Sequence, residues 1–231
     1  MIYLVKNLWY NKNILEVDIV NKDPILLSIE YENRDENGKI QYEGVSFNGN
    51  DFPDFLKNVI SPVYRDTEYN SKMKQIAIEM TGFDSVNIQE IFDAVPPISN
   101  FRIGELIAEK VVESRYNAKF TYNSDRDLKN KRSNNTGADL VGFIEMDDGA
   151  INFLFGEVKT SSQIDSPPSV MYGKDGMIDQ LAEISAKKEK TSSLVKWFFI
   201  KCYNSVDLNI QNYLRNAIKN YSISNNNIKI R

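Results

Sequence analysis

The stretch that decides the fold is residues 137–159, GADLVGFIEMDDGAINFLFGEVK. Two apolar runs flank Asp148-Gly149, a dipeptide that is among the strongest short-range signals for a β-hairpin. Folding this hairpin brings Asp139, at the start of the first strand, towards Glu157 and Lys159, at the end of the second. Strand residues two apart share a face, so Glu157 and Lys159 point the same way. The sequence therefore predicts two carboxylates and an ammonium group at one edge of an apolar hairpin.

The face on which Asp139 lies depends on the length of the hairpin turn. With a two-residue turn at 148–149, Asp139 lies opposite Val158 and faces away from the other two charged residues. A turn with an odd number of residues, for instance three with Gly149 in the left-handed conformation, puts all three charged residues on one face. A functional interpretation of the cluster requires the odd turn.

The length and composition are those of a water-soluble globular protein. The chain has 231 residues, of which 42% are hydrophobic and 26% charged, enough for one large or two small domains. The N-terminal residues 1–6 lack the features of a signal peptide, and no apolar run approaches the ~20 residues that span a bilayer. The single cysteine, Cys202, cannot form an internal disulfide. We therefore expect a cytoplasmic protein with no membrane association.

The chain contains no histidine, which excludes several classes of active site. Ser-His-Asp and Cys-His catalysis and histidine-ligated zinc are ruled out, and a single cysteine rules out thiolate metal clusters. Carboxylates, lysine, tyrosine and an oxygen-bound metal remain. Mg²⁺ prefers oxygen ligands, and phosphodiester hydrolysis commonly uses such an ion. The predicted carboxylate–lysine cluster fits the chemistry that remains.

A net charge of −4 counts against an extended nucleic-acid footprint, which usually forms a basic surface. Local basic clusters are still present. One precedes Asp139 and one follows the hairpin; they comprise Lys119, Arg126, Lys129, Lys131 and Arg132, and Lys187, Lys188 and Lys190. Such runs are more often solvated loops or helix faces than binding sites.

Residues 1–97 are predicted to form a β-rich N-terminal region that contacts a partner or the substrate. Its β-branched and aromatic runs, separated by Asn-, Asp- and Gly-rich turns, predict strands at 2–9, 14–20, 24–31 and 40–47. A short helix is expected over 51–60 and a broken helix over 70–92. Pro96-Pro97 interrupts regular structure and marks the boundary of the region.

Residues 98–231 are predicted to form an α/β domain with a mixed central sheet flanked by helices. The pattern predicts a helix over 101–115 with Asn100 as its N-cap, a polar loop at 121–136, and then the hairpin. A loop at 161–176 follows. The remaining expected elements are a helix over 177–190, a strand over 194–203, a helix over 207–220 and a strand over 228–230.

The order of charged residues along these elements resembles the PD-(D/E)XK nuclease superfamily over residues 100–205. The matching positions are Glu105 in the first helix, Asp139, Glu157-Val158-Lys159 and Gln180 in the following helix. Ala138 stands where the motif has its proline. The resemblance implies a restriction-endonuclease-like core and a Mg²⁺- or Mn²⁺-dependent phosphodiester hydrolase.

The same resemblance implies a role for each matching residue. Lys159 would orient the attacking water and neutralise charge developing on the phosphate, and Gln180 would steady the site from its helix. The metal ligands would be Asp139, Glu157, the Val158 backbone carbonyl and Glu105.

More narrowly, Gly104-Glu105, Gly137-Ala138-Asp139 and Gly156-Glu157-x-Lys159 are similar to the nuclease subunit of the Hachiman antiphage defence system. That subunit works beside a helicase. The resemblance implies a deoxyribonuclease that acts as the effector of a bacterial defence complex. Because a lone acidic domain binds DNA weakly, we expect a helicase or ATPase partner, or self-association, to deliver the DNA.

Other interpretations of these residues stay open. The chain could be a non-catalytic subunit with a nuclease fold, or a Mg²⁺-dependent phosphatase or nucleotide hydrolase. Asp139 could be a turn residue, Glu157 and Lys159 an exposed ion pair, and Gln180 an ordinary polar helix residue. Glu109, one helical turn beyond Glu105, is the alternative helix carboxylate.

Overall fold

We describe the fold from a computed structural model of the chain. The residues it describes are 2–7, 27–34, 40–47, 51–82, 86–93, 99–121, 137–163, 168–205, 207–224 and 228–230. Within these residues, the protein is a mixed α/β structure built on a seven-stranded sheet with helices packed against it.

The N-terminal part of the sheet is antiparallel. Strand β1 (Ile2–Asn7) pairs with β3 (Ile40–Phe47), and β3 pairs on its other side with β2 (Leu27–Arg34). The strands predicted from the β-branched and aromatic runs are thereby confirmed, although the one expected at 24–31 is shifted towards the C-terminus. The strand expected at 14–20 lies outside the described residues.

The rest of the sheet surrounds the predicted hairpin, which is confirmed. Its strands are β4 (Ala118–Lys119), β5 (Leu140–Glu145), β6 (Ile151–Gly156) and β7 (Ile228–Ile230). The sheet order is β2-β3-β1-β7-β6-β5-β4, and the β6–β7 pair is parallel. The mixed sheet is as expected, while the division into domains at residue 97 stays a prediction.

Short helices follow β3. Helix α1 (Asp51–Phe55) continues into one π-helical turn (Leu56–Ile60) and then into α2 (Ser61–Arg65). Helices α3 (Thr67–Thr81) and α4 (Val86–Asp93) confirm the broken helix expected over 70–92. The proline boundary at 96–97 lies outside the described residues.

Helix α5 (Asn100–Tyr116) carries the first predicted site residue. The expected N-cap, Asn100, is wrong by one residue: the Ser99 side-chain oxygen accepts a hydrogen bond from the Arg102 backbone N–H at 3.2 Å. A capping hydroxyl in this position satisfies one of the unpaired amides of the first turn. At the other end, Asn117 ends the helix with φ +48°.

Among the described residues between the hairpin and β7, a 3-10 turn (Ser169–Met171) precedes three α-helices, namely α6 (Met177–Ala186), α7 (Lys188–Tyr203) and α8 (Leu208–Ser224). The strand predicted over 194–203 is therefore wrong. Aromatic and β-branched residues suggested a strand, but the buried positions of α7 recur at helical spacing. Those positions are Thr191, Leu194, Val195, Phe198 and Cys202. The helix expected over 177–190 ends at 186, and a new one begins at 188.

The core consists of two clusters on opposite faces of the hairpin. On one face, Phe143, Phe153 and Phe155 pack with residues of α6, α7 and α8. On the other, Leu140 and Leu154 pack with residues of α5. The alternation of strand side chains produces this division. The hairpin is apolar on both faces, as expected for a strand pair between two helical layers.

Within the described residues we find no helical stretch with the length and apolar character that a bilayer crossing requires.

Candidate functional site

The hairpin turn has the odd length that the site requires. The Met146 N–H donates to the Ala150 carbonyl at 2.9 Å, and the Gly149 N–H donates to the Met146 carbonyl at 2.8 Å. The turn between these paired residues is therefore 147–149, and Gly149 has φ +77°. A three-residue turn with a left-handed glycine was the arrangement predicted to put the charged residues on one face. This prediction is confirmed.

The register places Asp139 opposite Glu157 at the open end of the hairpin. Leu140 pairs with Gly156, so the next pair outwards is formed by the two carboxylates. The Val158 backbone N–H donates to Asp139 Oδ2 at 2.8 Å. This hydrogen bond ties the two strand ends together and fixes the orientation of the Asp139 carboxylate.

Glu157 is a partly buried carboxylate beside another negative charge. Burial, and then repulsion by Asp139, raise its pKa from 4.5 to about 7. Lys159 opposes this shift, because its Nζ lies 2.8 Å from Glu157 Oε1. The Glu157 side chain is only 10% exposed and that of Lys159 25%. The Glu157–Lys159 pair is thus partly buried and lies beside a second carboxylate, Asp139, so the interpretation as an exposed ion pair does not fit.

Helix α5 brings Glu105 to the same end of the hairpin. A Cβ at Gly104 would overlap Cγ2 of Thr160, the residue after Lys159. The missing side chain at 104 thus lets the helix backbone approach the segment that follows β6. Glu105 is 5% exposed. Burial raises its pKa from 4.5 to about 7, and the negative charge of Asp139 contributes to the rise.

Arg102 is a central member of the site that the sequence did not reveal. Its Nη1 lies 2.7 Å from Glu105 Oε2 and 3.6 Å from Glu109 Oε1, and all three side chains are buried. A signal was available, because positions 102, 105 and 109 fall on one helix face together with the buried apolar residues. Glu109 also has a pKa raised to about 7 by burial. Of these two glutamates of α5, Glu105 is the one whose pKa is raised by Asp139, which favours Glu105 as the helix carboxylate.

Gln180 is not joined to the other predicted site residues. It lies on α6, and its Oε1 is buried without a hydrogen-bond partner among the described residues. A buried acceptor in this state is costly. Its role in the site stays a prediction.

The residues present fit a metal ion shared with substrate better than a closed protein cage. Within the described residues, no three His, Cys, Asp or Glu side chains are arranged to hold a metal. The available donors are the facing carboxylates Asp139 and Glu157, with Glu105 close enough for Asp139 to affect its pKa. Mg²⁺ is commonly bound by one or two carboxylates, with water and substrate phosphate completing its shell.

The predicted basic clusters are only partly described. Residues 126–132 lie outside the described part of the chain. Lys119 packs over the ring of Tyr213, with Nζ 4.6 Å from the ring centroid. Lys187 and Lys190 both pair with Glu183, so this second cluster is partly neutralised.

Comparison with known proteins gives one match. A family model described as HamA matches residues 7–231. No curated protein and no solved structure matches the chain. The matched range covers the hairpin, the helix that precedes it and most of the N-terminal strands.

Proposed function

We propose that this chain is a metal-dependent nuclease. The chain belongs to the HamA family and is thereby a component of the Hachiman antiphage defence system. It would hydrolyse DNA phosphodiester bonds as the effector of the defence complex. The observation that carries the proposal is the three-residue turn that sets Asp139 opposite Glu157. A different register would separate the two carboxylates and remove the argument.

The carboxylates would hold the cation. Bound Mg²⁺ or Mn²⁺ would act as a Lewis acid on the phosphodiester. Asp139 is already oriented by the Val158 N–H, and Glu157 faces it. The Val158 carbonyl and Glu105 would complete the protein's share of ligands. The restriction-endonuclease-like arrangement of the core belongs to this proposal.

Lys159 would act on the phosphate. Its ammonium group lies 2.8 Å from Glu157 and at present balances part of the negative charge. A cation held by the carboxylates would take over that balance. Lys159 could then neutralise charge that develops on the phosphate and orient the attacking water.

DNA would reach the site with help from another protein. The chain carries a net charge of −4, and phosphate contacts by lysine and arginine normally dominate affinity for DNA. We therefore propose that a helicase or ATPase subunit, or a second copy of the chain, delivers the substrate.

The experiment is cleavage of supercoiled plasmid by the purified chain with Mn²⁺ or Mg²⁺. We expect Asp139→Asn and Lys159→Ala each to reduce the rate by about 100-fold or more, the scale of losing one electrostatic contact to the transition state. Asp54→Asn and Lys174→Ala change exposed residues of the same types and serve as matched controls. Cleavage by the two site variants at the native rate would contradict the proposal.

A non-catalytic subunit with the same fold is the second candidate. The observation that favours it is the lack of a closed three-ligand metal site among the described residues. Calorimetric titration with Mn²⁺ separates the two candidates. The nuclease requires binding that Asp139→Asn weakens, whereas the non-catalytic subunit requires none.

A further inference from the structure

Helix α7 exposes an apolar and aromatic surface on the side that faces away from the core. We call this surface the aromatic face. It consists of Trp197, Phe199, Ile200 and Tyr203, whose exposed fractions are 37%, 37%, 53% and 66%.

This exposure is unusual because the opposite side of α7 is also apolar. Leu194, Val195 and Phe198 are buried against the hairpin. A surface helix normally carries polar residues on its outer side, and helices that are apolar all round are usually buried. Contiguous exposed apolar residues of this kind are typical of surfaces that bind a ligand or another macromolecule.

The rings of the aromatic face present flat surfaces. Phe199 and Tyr203 lie one helical turn apart, with centroids separated by 5.7 Å and planes inclined by 15°. On the other flank, the Lys201 ammonium lies 5.9 Å from the centroid of Trp197. Rings of this kind accept nucleobases by stacking, irrespective of base identity.

The charge around the aromatic face is positive although the chain as a whole is acidic. Lys196 immediately precedes Trp197 in sequence, and Lys201 follows Ile200. The whole helix carries four lysines, Lys188, Lys190, Lys196 and Lys201, against one acid, Glu189, and Lys190 is paired with Glu183. Aromatic rings interleaved with lysines are complementary to a polyanion that also carries exposed rings.

Helix α7 leads from this surface to the candidate site. Its residue Leu194 lies against Gly137, where a Cβ would come within 2.8 Å of Leu194 Cδ2. Gly137 is two residues before Asp139. Trp197 lies three residues beyond Leu194, about 4.5 Å along the helix axis. A nucleic-acid strand lying along the outer side of α7 would run past the same end of the hairpin, separated from it by the helix, which is about 10 Å across.

We propose that the aromatic face of α7 binds single-stranded nucleic acid, with bases stacked on its rings and phosphates at Lys196 and Lys201. The inference deepens the proposed nuclease function and rests on it, because it names the form in which the substrate would approach the carboxylates. Binding itself does not require cleavage, since the face lies outside the metal-binding residues.

The test is binding of a fluorescently labelled oligothymidylate to the full chain at low salt with EDTA, followed by fluorescence anisotropy. We expect Phe199→Ala and Tyr203→Ala each to raise the Kd about fivefold or more, the scale of one lost base stack. Lys196→Glu should weaken binding and flatten its salt dependence. Val86→Ala and Ile91→Ala, which change exposed apolar residues of α4, are matched controls and should leave the Kd unchanged.

Three outcomes would overturn the inference: no binding by the native chain, an unchanged Kd in the α7 variants, or an equal loss in the α4 controls. If the α7 variants kept the Kd for the oligonucleotide but changed self-association or binding to another protein, the aromatic face would be a protein-binding surface. EDTA keeps this result separate from catalysis. A native chain that binds the oligonucleotide but cleaves no plasmid would retain the inference and remove the nuclease proposal.

Discussion

Helices α5 and α7 pack on opposite faces of one hairpin and depart from the usual residue pattern in opposite ways. Helix α5 buries charged side chains, Arg102, Glu105 and Glu109. Helix α7 exposes aromatic ones along Trp197–Tyr203. Each reaches the open end of the hairpin through a close contact, α5 at Gly104 and α7 at Leu194.

Both departures cost free energy in the isolated chain. Buried charges lose hydration, and exposed rings order water. Proteins tend to violate the pattern where a site requires it. Both helices also approach the open end of the hairpin, α5 at Gly104 and α7 at Leu194, which is the end that carries the carboxylates of the proposed site.

The strongest test of the comparison is Arg102→Met. Removing the guanidinium leaves two carboxylates buried without their shared cation, so we expect the free energy of unfolding to fall by about 3–5 kcal/mol. Urea denaturation monitored by circular dichroism measures this change. The exposed Arg65 provides the control, since Arg65→Met should change the value by less than about 0.5 kcal/mol.

If Arg102→Met lowered the free energy of unfolding no more than Arg65→Met does, water would have to reach the charged side chains of α5. The contrast between a helix that buries charges and one that exposes aromatic rings would then be contradicted. The double variant Arg102→Met/Glu105→Gln tests the cause. Neutralising one of the two stranded carboxylates should recover part of the loss, because an amide at position 105 carries no charge that needs a partner.

A smaller effect is expected from pH through Glu109. Its pKa is about 7 in the folded protein and 4.5 ordinarily, so between these values the unfolded chain releases a proton that the folded chain retains. The free energy of unfolding should therefore fall as pH rises from 4.5 to 7. Glu109→Gln should reduce this fall by about 1–3 kcal/mol. The charged groups that act on Glu109 or share its network are Arg102, Glu105, Lys110 and Glu113.

Urea denaturation of the native chain and Glu109→Gln at pH 5 and pH 8 gives the measurement. If the free energy of unfolding fell equally between pH 5 and pH 8 in the native chain and in Glu109→Gln, the pKa of Glu109 would be the ordinary one in the folded state, and the prediction would be contradicted. Glu183 supplies a control on the surface, where it is paired with Lys187 and Lys190. Glu183→Gln should leave the difference between pH 5 and pH 8 unchanged.

The smallest effect belongs to the aromatic face of α7. Phe199→Ser should lower the free energy of unfolding by only about 1 kcal/mol, because 37% of the residue is already exposed and only the remaining part loses its burial. Its neighbour Phe198 is fully buried, and Phe198→Ala should cost about 3–5 kcal/mol. Equal losses in the two variants would mean that the aromatic face is covered within the folded chain.

The hairpin and its turn were predictable because their signals are local. Asp148-Gly149 between two apolar runs specifies the turn, and period-two burial then fixes which residues face each other. Helix α8 and strand β7 were likewise readable from spacing alone. Within the hairpin, the sequence left open whether the turn has two or three residues, and the hydrogen bonds of Met146 with Ala150 and Gly149 show that it has three.

Features that depend on tertiary contacts were not predictable in the same way. The run around Trp197–Tyr203 has the composition of a strand, but its packing on the hairpin makes it helical. The helical spacing places Arg102 on the same face as Glu105 and the buried apolar residues, but that its guanidinium is buried between two carboxylates depends on how α5 packs on the hairpin. The side-chain environment of Gln180 could not be read from the sequence, because burial of one amide oxygen leaves no periodic signal.

The contact between Gly104 and Thr160 has a consequence for how related chains can diverge. A side chain at position 104 is compatible with this packing only if the methyl group of Thr160 moves away, by a change of rotamer or by substitution with serine or alanine. The two positions should therefore change together during evolution, so that alanine at position 104 is accompanied by serine or alanine at position 160. An alignment of related sequences would thus indicate how closely helix α5 approaches the end of strand β6.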